Sequence, residues 1–272
     1  MKRYLLVIFI LLAVYSFFSL SKGTCPLFSP KKDKIQEYLI KGNAAGVLGQ
    51  AMDLLQRRQD NAALLVFEKI LEAEPSNIPA SWGKAEILRR SRKYAESEKI
   101  LQELIKKDPG YAPPLISLAY LRYNDGQLQE ARKILISLLK NKLLDNENRA
   151  LVYILLGTVN SRYSVKGNFL SKIAYASNIF RYFLKANELA PCLPETHLAL
   201  GTFYMKAPGI LGGNLDKAIK ELQQCLILAP DFATAHARLA QAYEEKGDPV
   251  RYELHLERAK ALDPQNEVLK EL

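Results

Sequence analysis

The stretch from Ala233 to Asn266, ATAHARLAQAYEEKGDPVRYELHLERAKALDPQN, carries the organisation of the whole chain in 34 residues. His236, Leu239, Ala240 and Tyr243 recur at helical spacing, so they predict an amphipathic helix with one apolar face. Gly247-Asp248 stands between this helix and the next. A second apolar stripe through Leu256, Ala259 and Leu262 ends at Asp263-Pro264, since proline cannot continue the ladder of hydrogen bonds. The segment is a helical hairpin.

The same hairpin returns upstream. Prolines at 75, 109, 191, 230 and 264 each close a helical stretch, and the first two and the last two stand 34 residues apart. Five residues before each lie Ile70, Leu104, Ala186, Cys225 and Ala259; eight before lie Phe67, Leu101, Phe183, Leu222 and Leu256. A further unit, Ala112 to Asp145, has Leu143 in place of the proline but keeps Ala119, Gly126, Ala131, Leu135 and Leu138 in register. The period has a physical cause. Small residues such as Ala51, Ala119, Gly157 and Gly201 let paired helices approach closely, and larger side chains fill the gap to the next pair. A lone pair would leave an apolar face wet, so the pairs must stack.

This pattern resembles the tetratricopeptide repeat (TPR), which has an aromatic, then Leu-Gly and Tyr, then Ala-x3-aromatic-x2-Ala, then Pro. His197, Leu200-Gly201 and Tyr204 match it one unit before the stretch quoted above. The resemblance covers about residues 44–266 and implies an all-α fold: a right-handed α-solenoid of about six helix pairs. Repeats are expected near 44–77, 78–111, 112–145, 150–191, 194–230 and 233–266, with 267–272 as a C-terminal tail. In this family the first helices line a concave groove for a peptide or partner helix. Carried onto this chain, the lining is expected at Trp82, Glu86, Arg89, Ile116, Tyr120, Tyr123, Ile154, Arg162, Leu198, Thr202, Met205 and Lys206. That composition suits a partner with apolar anchors and some negative charge.

Two units are longer than the period. From Gly157 to Pro191 there are ten extra residues, and Asn168–Leu189 reads as one helix with Phe169, Ile173, Ala176, Phe180 and Phe183 on a stripe. Ala207-Pro-Gly-Ile-Leu-Gly-Gly213 adds five more; Pro208-Gly209 predicts a type II turn, and Gly212-Gly213 permits positive φ. The Leu-Gly-Gly-Asn…Lys-Ala wording of this loop is also similar to periplasmic TPR components associated with TRAP-type solute transporters. That resemblance implies an accessory role with a small apolar ligand held between the fourth and fifth repeats.

Ahead of the repeats, Met1-Lys2-Arg3 precedes an apolar run from Tyr4 to Leu20 interrupted only by Ser16 and Ser19. A basic start followed by such a run predicts a signal peptide over residues 1–23 or an uncleaved membrane anchor. At about 1.5 Å per residue the run reaches roughly 26 Å, the short edge of a membrane span. Export to a periplasmic or membrane-anchored, extracytoplasmic location follows. Cys25 comes next, but Lys22-Gly23-Thr24 does not resemble the triplet that precedes a lipidated cysteine. Residues 24–43 read as a linker and a capping helix over Lys31–Lys41.

The net charge of +9 is concentrated in the first 43 residues; the remainder is close to balanced and carries no nucleic-acid footprint. One basic stretch, around 162–187, could meet an anionic membrane as a helix. Three cysteines make no disulfide framework; Cys225 falls at a core position, and a Cys192–Cys225 bond is left open. His197 and His236 occupy equivalent packing positions and His255 stands apart from them. No nucleophile–base set, metal-ligand spacing or phosphate loop is present, so no catalytic, metal or cofactor residue is assigned. The reading is a non-enzymatic scaffold for a protein or peptide partner. Its alternatives are a small-ligand transport accessory and a peripheral tether through the basic stretch.

Overall fold

The computed structural model describes residues 44–165 and 169–272, with side chains described for 46–163 and 178–272. The signal or anchor segment, the Lys31–Lys41 helix, Cys25, and the side chains of Lys166, Phe169, Lys172, Ile173 and Ala176 lie outside the described residues. Among the described residues there are twelve α-helices and no strand. They run as six hairpins: α1 (Ala44–Gln56) with α2 (Asp60–Ala73), α3 (Ile78–Arg90) with α4 (Tyr94–Lys107), and α5 (Ala112–Asn124) with α6 (Leu128–Lys140). The second half comprises α7 (Asn146–Val165) with α8 (Phe169–Leu189), α9 (Pro194–Lys206) with α10 (Leu215–Leu228), and α11 (Ala233–Lys246) with α12 (Pro249–Leu262).

Local chemistry explains the boundaries. Helices α3, α5, α9 and α12 carry proline in the first turn, where its missing N–H costs nothing. The side chains of Asn77, Asn214 and Asp248 accept from backbone N–H groups of α3, α10 and α12. The turn joining the helices of a pair needs one left-handed residue. Gly126 (φ 77°) and Gly247 (φ 72°) supply it cheaply, but the first two pairs use Arg58 (φ 65°) and Arg92 (φ 61°). A non-glycine residue there is disfavoured by roughly 1–2 kcal/mol.

Packing follows the small residues. Ala51, Ala85, Ala119 and Ala240 are fully buried. A Cβ at Gly157 would lie 2.4 Å from the Phe183 ring, and one at Gly201 2.7 Å from Leu222, so each glycine is the notch that admits its partner helix. The first helices of successive pairs also contact one another, α1 with α3 and so on to α9 with α11, which places them on the inner face of the curve.

His197 and His236, both buried, donate from Nε2 to the carbonyls of Pro191 and Pro230, tying each first helix to the turn before it. With Nε2 protonated, neutral His236 accepts at Nδ1 from His255 Nδ1, 2.9 Å away, and the His255 ring stacks on Tyr243. Burial, then the His236 and Arg251 charges, lower His255 to about 4, and burial lowers His236. The unfolded chain, with histidines near 6.5, therefore binds more protons than the folded one between pH 6.5 and 4. This contribution is fully present above about pH 7 and is lost as the pH falls through that window. Thermal midpoints measured from pH 7.5 to 4.5 should fall more steeply for the wild type than for His255→Phe; parallel curves would contradict this.

Several expectations are corrected. The segment 162–187 is not one helix: α7 ends at Val165 and α8 starts at Phe169. Pro208-Gly209 forms no type II turn; Gly209–Leu211 is a 3-10 turn instead, and the left-handed residue is Gly212 (φ 98°). Gly213 is required for another reason, since a Cβ there would lie 1.8 Å from the Ala207 carbonyl oxygen. In the C-terminal tail, residues 267–272, Glu267–Glu271 form a 3-10 turn with Val268 buried against Ala237 and Ala259. Cys192 and Cys225 are not bonded to each other. Cys192 is disulfide-bonded, and Cys225 is a free, buried thiol whose burial raises its pKa.

Candidate functional site

The six hairpins curve far enough for their ends to meet around a central cavity of about 1620 Å³. The meeting is made by the two left-handed arginines. Arg58 donates from Nη2 to Glu195 Oε1 (2.5 Å) at the start of α9, and its guanidinium lies 3.9 Å from the centre of the Phe232 ring. Arg92 makes a two-pronged contact with Asp263 (3.0 and 2.9 Å) and donates to the Gln265 carbonyl at 2.7 Å. A long, forked side chain suits this span, because the guanidinium can meet a carboxylate with two N–H groups at once. The spacing of 34 residues from Arg58 to Arg92 to Gly126 exposes the signal in the sequence: arginine stands twice where the period places glycine.

The wall has two chemistries. Ile154, Ile179, Phe183, Leu198, Phe203 and Leu211 gather at the fourth and fifth pairs as an apolar end. Arg58, Arg89, Arg90, Arg92, Tyr120 and Tyr123 form the other end with Asp60 and Glu195. Beneath that polar end Glu86 is 7% exposed and accepts from Arg89 (2.9 and 2.5 Å), Arg90 (3.0 Å) and Ser117 (2.8 Å). Arg90 also reaches Asp60 (2.7 Å) and the Leu55 carbonyl (2.9 Å). Burial alone would raise the Glu86 carboxyl, but the Arg89 and Arg90 charges and the Arg89 and Ser117 hydrogen bonds outweigh it and hold it well below the usual range. Burial pushes the Tyr120 phenol up to about 12, so it stays neutral while Arg89 stacks over its ring at 4.6 Å.

The residues expected in the groove separate into groups. Arg89, Tyr120, Tyr123, Ile154, Leu198, Thr202 and Lys206 line the cavity. Trp82 does not; it packs between the core clusters of the first three pairs and donates from Nε1 to Ser117 Oγ at 3.1 Å. Ile116, one period on from Trp82, is likewise core. Glu86 sits under its two arginines rather than facing the cavity. Met205 lines a small adjoining recess with Gln241 and Glu244. Arg162 is exposed; it donates to the Tyr123 carbonyl (3.1 Å) and covers the Tyr123 ring at 4.1 Å. Sequence reasoning missed Arg58, Arg92, Glu195, Phe232 and Asp263, because their meeting joins units far apart in the chain.

Models of the tetratricopeptide repeat match residues 48–112 and 212–267, and 88–152, together more than half of the chain. The chain belongs to the tetratricopeptide-repeat family, whose repeats generally serve as protein-interaction scaffolds. Among solved structures it is similar to the APC/C hetero-tetramer Cut9–Hcn1, with 21% identity over 87% of this chain and 44% of that one, at a TM-score of 0.56. It is also similar to the human IFIT1 dimer with m7Gppp-AAAA, with 21% identity over 78% of this chain and 47% of that one, at a TM-score of 0.54. The chain spans less than half the length of either, and at this identity the likeness is one of fold. No curated protein sequence matches it. Among the described residues no helix is long and apolar enough to cross a membrane.

Proposed function

We propose that this protein is a non-catalytic scaffold that receives a segment of a partner protein in its central cavity, outside the cytoplasm. The observation that carries the reading is the cavity itself, with an apolar end around Leu198 and Phe203 and an arginine- and tyrosine-lined end around Arg89 and Tyr120. Apolar anchors give affinity, and complementary charge sets the orientation. Thr202→Trp places a bulky ring on the cavity wall, narrowing the cavity without removing a core side chain. It should reduce partner crosslinked and co-purified from cells at least tenfold, with helicity unchanged; undiminished capture would sink the reading.

Export is supported by the Lys2-Arg3 start and apolar run, and by the disulfide at Cys192, because such bonds persist in oxidising compartments. Denatured, unreduced protein purified from its own compartment should titrate a single thiol, Cys225. A second reading is a small apolar ligand at the Ile179–Phe183–Leu211 end. Native mass spectrometry separates the two, since a bound solute adds the mass of a small molecule and a partner adds that of a polypeptide.

A further inference from the structure

The C-terminal turn ends in a contact that its packing role does not require. Val268 supplies the apolar cap, 5% exposed between Ala237 and Ala259, and Asn266 accepts from the Val268 N–H to set the turn. Three residues later Glu271 folds back onto the inner face. Its carboxylate accepts from Arg238 through both Nη atoms (2.7 and 3.2 Å), from Lys206 Nζ (3.0 Å) and from Gln241 Nε2 (3.3 Å). Arg238 and Gln241 lie one helical turn apart on α11, and Lys206 ends α9, so the three donors converge from two adjacent first helices. Gln241 Oε1 accepts from Arg238 Nη1 at 2.7 Å and holds the fork in place, and the Arg238 side chain is only 14% exposed. The donors are set for a planar carboxylate.

We propose that Lys206, Arg238 and Gln241 form a carboxylate-binding cradle at the rim of the cavity, occupied in cis by Glu271 until an acidic residue of a partner peptide displaces it. The Arg238 and Lys206 hydrogen bonds hold the Glu271 carboxyl down at about 2, so the occupant is charged at neutral pH. Glu271 and Lys206 remain 43% and 53% exposed, and exposed pairs of this kind hold weakly, which makes the occupant exchangeable. Tethering nevertheless gives it a high local concentration, so a free peptide competes against it. Glu244 and Glu245 border the adjoining recess with Met205. They repel a run of acids, and the site therefore takes a single carboxylate beside an apolar residue, the arrangement that Glu271-Leu272 itself presents.

The inference deepens the partner-binding reading, but its test uses no partner. The probe is a fluorescein-labelled peptide with the chain's own last six residues, Glu-Val-Leu-Lys-Glu-Leu, followed by anisotropy. A chain ending at Lys270, which keeps Val268, should bind it about five- to tenfold more tightly than the full chain. Full-length Glu271→Gln should show the same gain, which guards against a truncation that disturbs folding. Arg238→Ala in the shortened chain should lose at least tenfold, and added salt should weaken binding. Equal affinity in full and shortened chains, or binding indifferent to Arg238→Ala, overturns the cradle. Neither result bears on the Thr202→Trp capture, so the two readings fail separately.

Discussion

Glu86→Ala is expected to lower the thermal midpoint by on the order of 10 °C, the largest loss from any single truncation on the inner face. Glu86 is held among Arg89, Arg90 and Ser117, and the three charged side chains are only 9%, 12% and 14% exposed. Removing the carboxylate leaves Arg89 with the Tyr120 ring as its remaining neighbour and leaves Arg90 with Asp60 and the Leu55 carbonyl. Breaking a buried pair by deleting one partner costs about 3–5 kcal/mol, because the surviving charge stays desolvated. For a solenoid of this size each kcal/mol corresponds to roughly 2–4 °C. Glu86→Gln keeps the shape and the Ser117 contact and should lose about half as much. Differential scanning calorimetry of the two variants decides the matter; a Glu86→Ala midpoint within 2 °C of wild type would show that the network does not hold the second and third pairs together.

The second large effect concerns closure. At Arg58 two contributions oppose each other. Glycine would relieve the left-handed backbone by roughly 1–2 kcal/mol. It would also strand Glu195, 13% exposed, without its cation and uncover Phe232, at about 3–5 kcal/mol. The pair outweighs the strain, so Arg58→Gly should destabilise by about 1–4 kcal/mol even though it repairs the turn. Arg58→Glu adds repulsion and should open the curve, seen as a larger radius of gyration in small-angle X-ray scattering. The swap Arg58→Glu with Glu195→Arg should restore part of the compaction. If Arg58→Gly proves as stable and as compact as wild type, the arginine is not a clasp. The Arg92–Asp263 pair, 32% and 25% exposed, should contribute less, about 1 kcal/mol.

These two positions also mark where reading the chain one period at a time succeeds and fails. Ala119, Ala131, Leu135 and Leu138 follow the period and are buried, because each answers only to the helix beside it. Trp82 and Glu86 show the limit of projecting a groove from phase. The equivalent positions one period on, Ile116 and Tyr120, have different surroundings, one core and one cavity wall. Glu86 leaves the wall only because two arginines close over it, and the presence of both is local information that the family pattern does not contain. The insertion at 207–213 was legible as a glycine-dependent loop. Its 3-10 path was not, since it depends on the Leu211 and Gly213 N–H groups both donating to the Pro208 carbonyl.

Hairpin after hairpin, the order of helices, their small-residue notches and their proline-marked ends follow from residues within about 34 positions of one another. Contacts between neighbours dominate such a chain, and those contacts are written at fixed spacing. The central cavity belongs to the assembled molecule. Whether Arg58 reaches Glu195, 137 residues away, depends on the small rotation added by every pair, including the two lengthened ones. A sum of small angles sets that distance, and no single repeat encodes the sum.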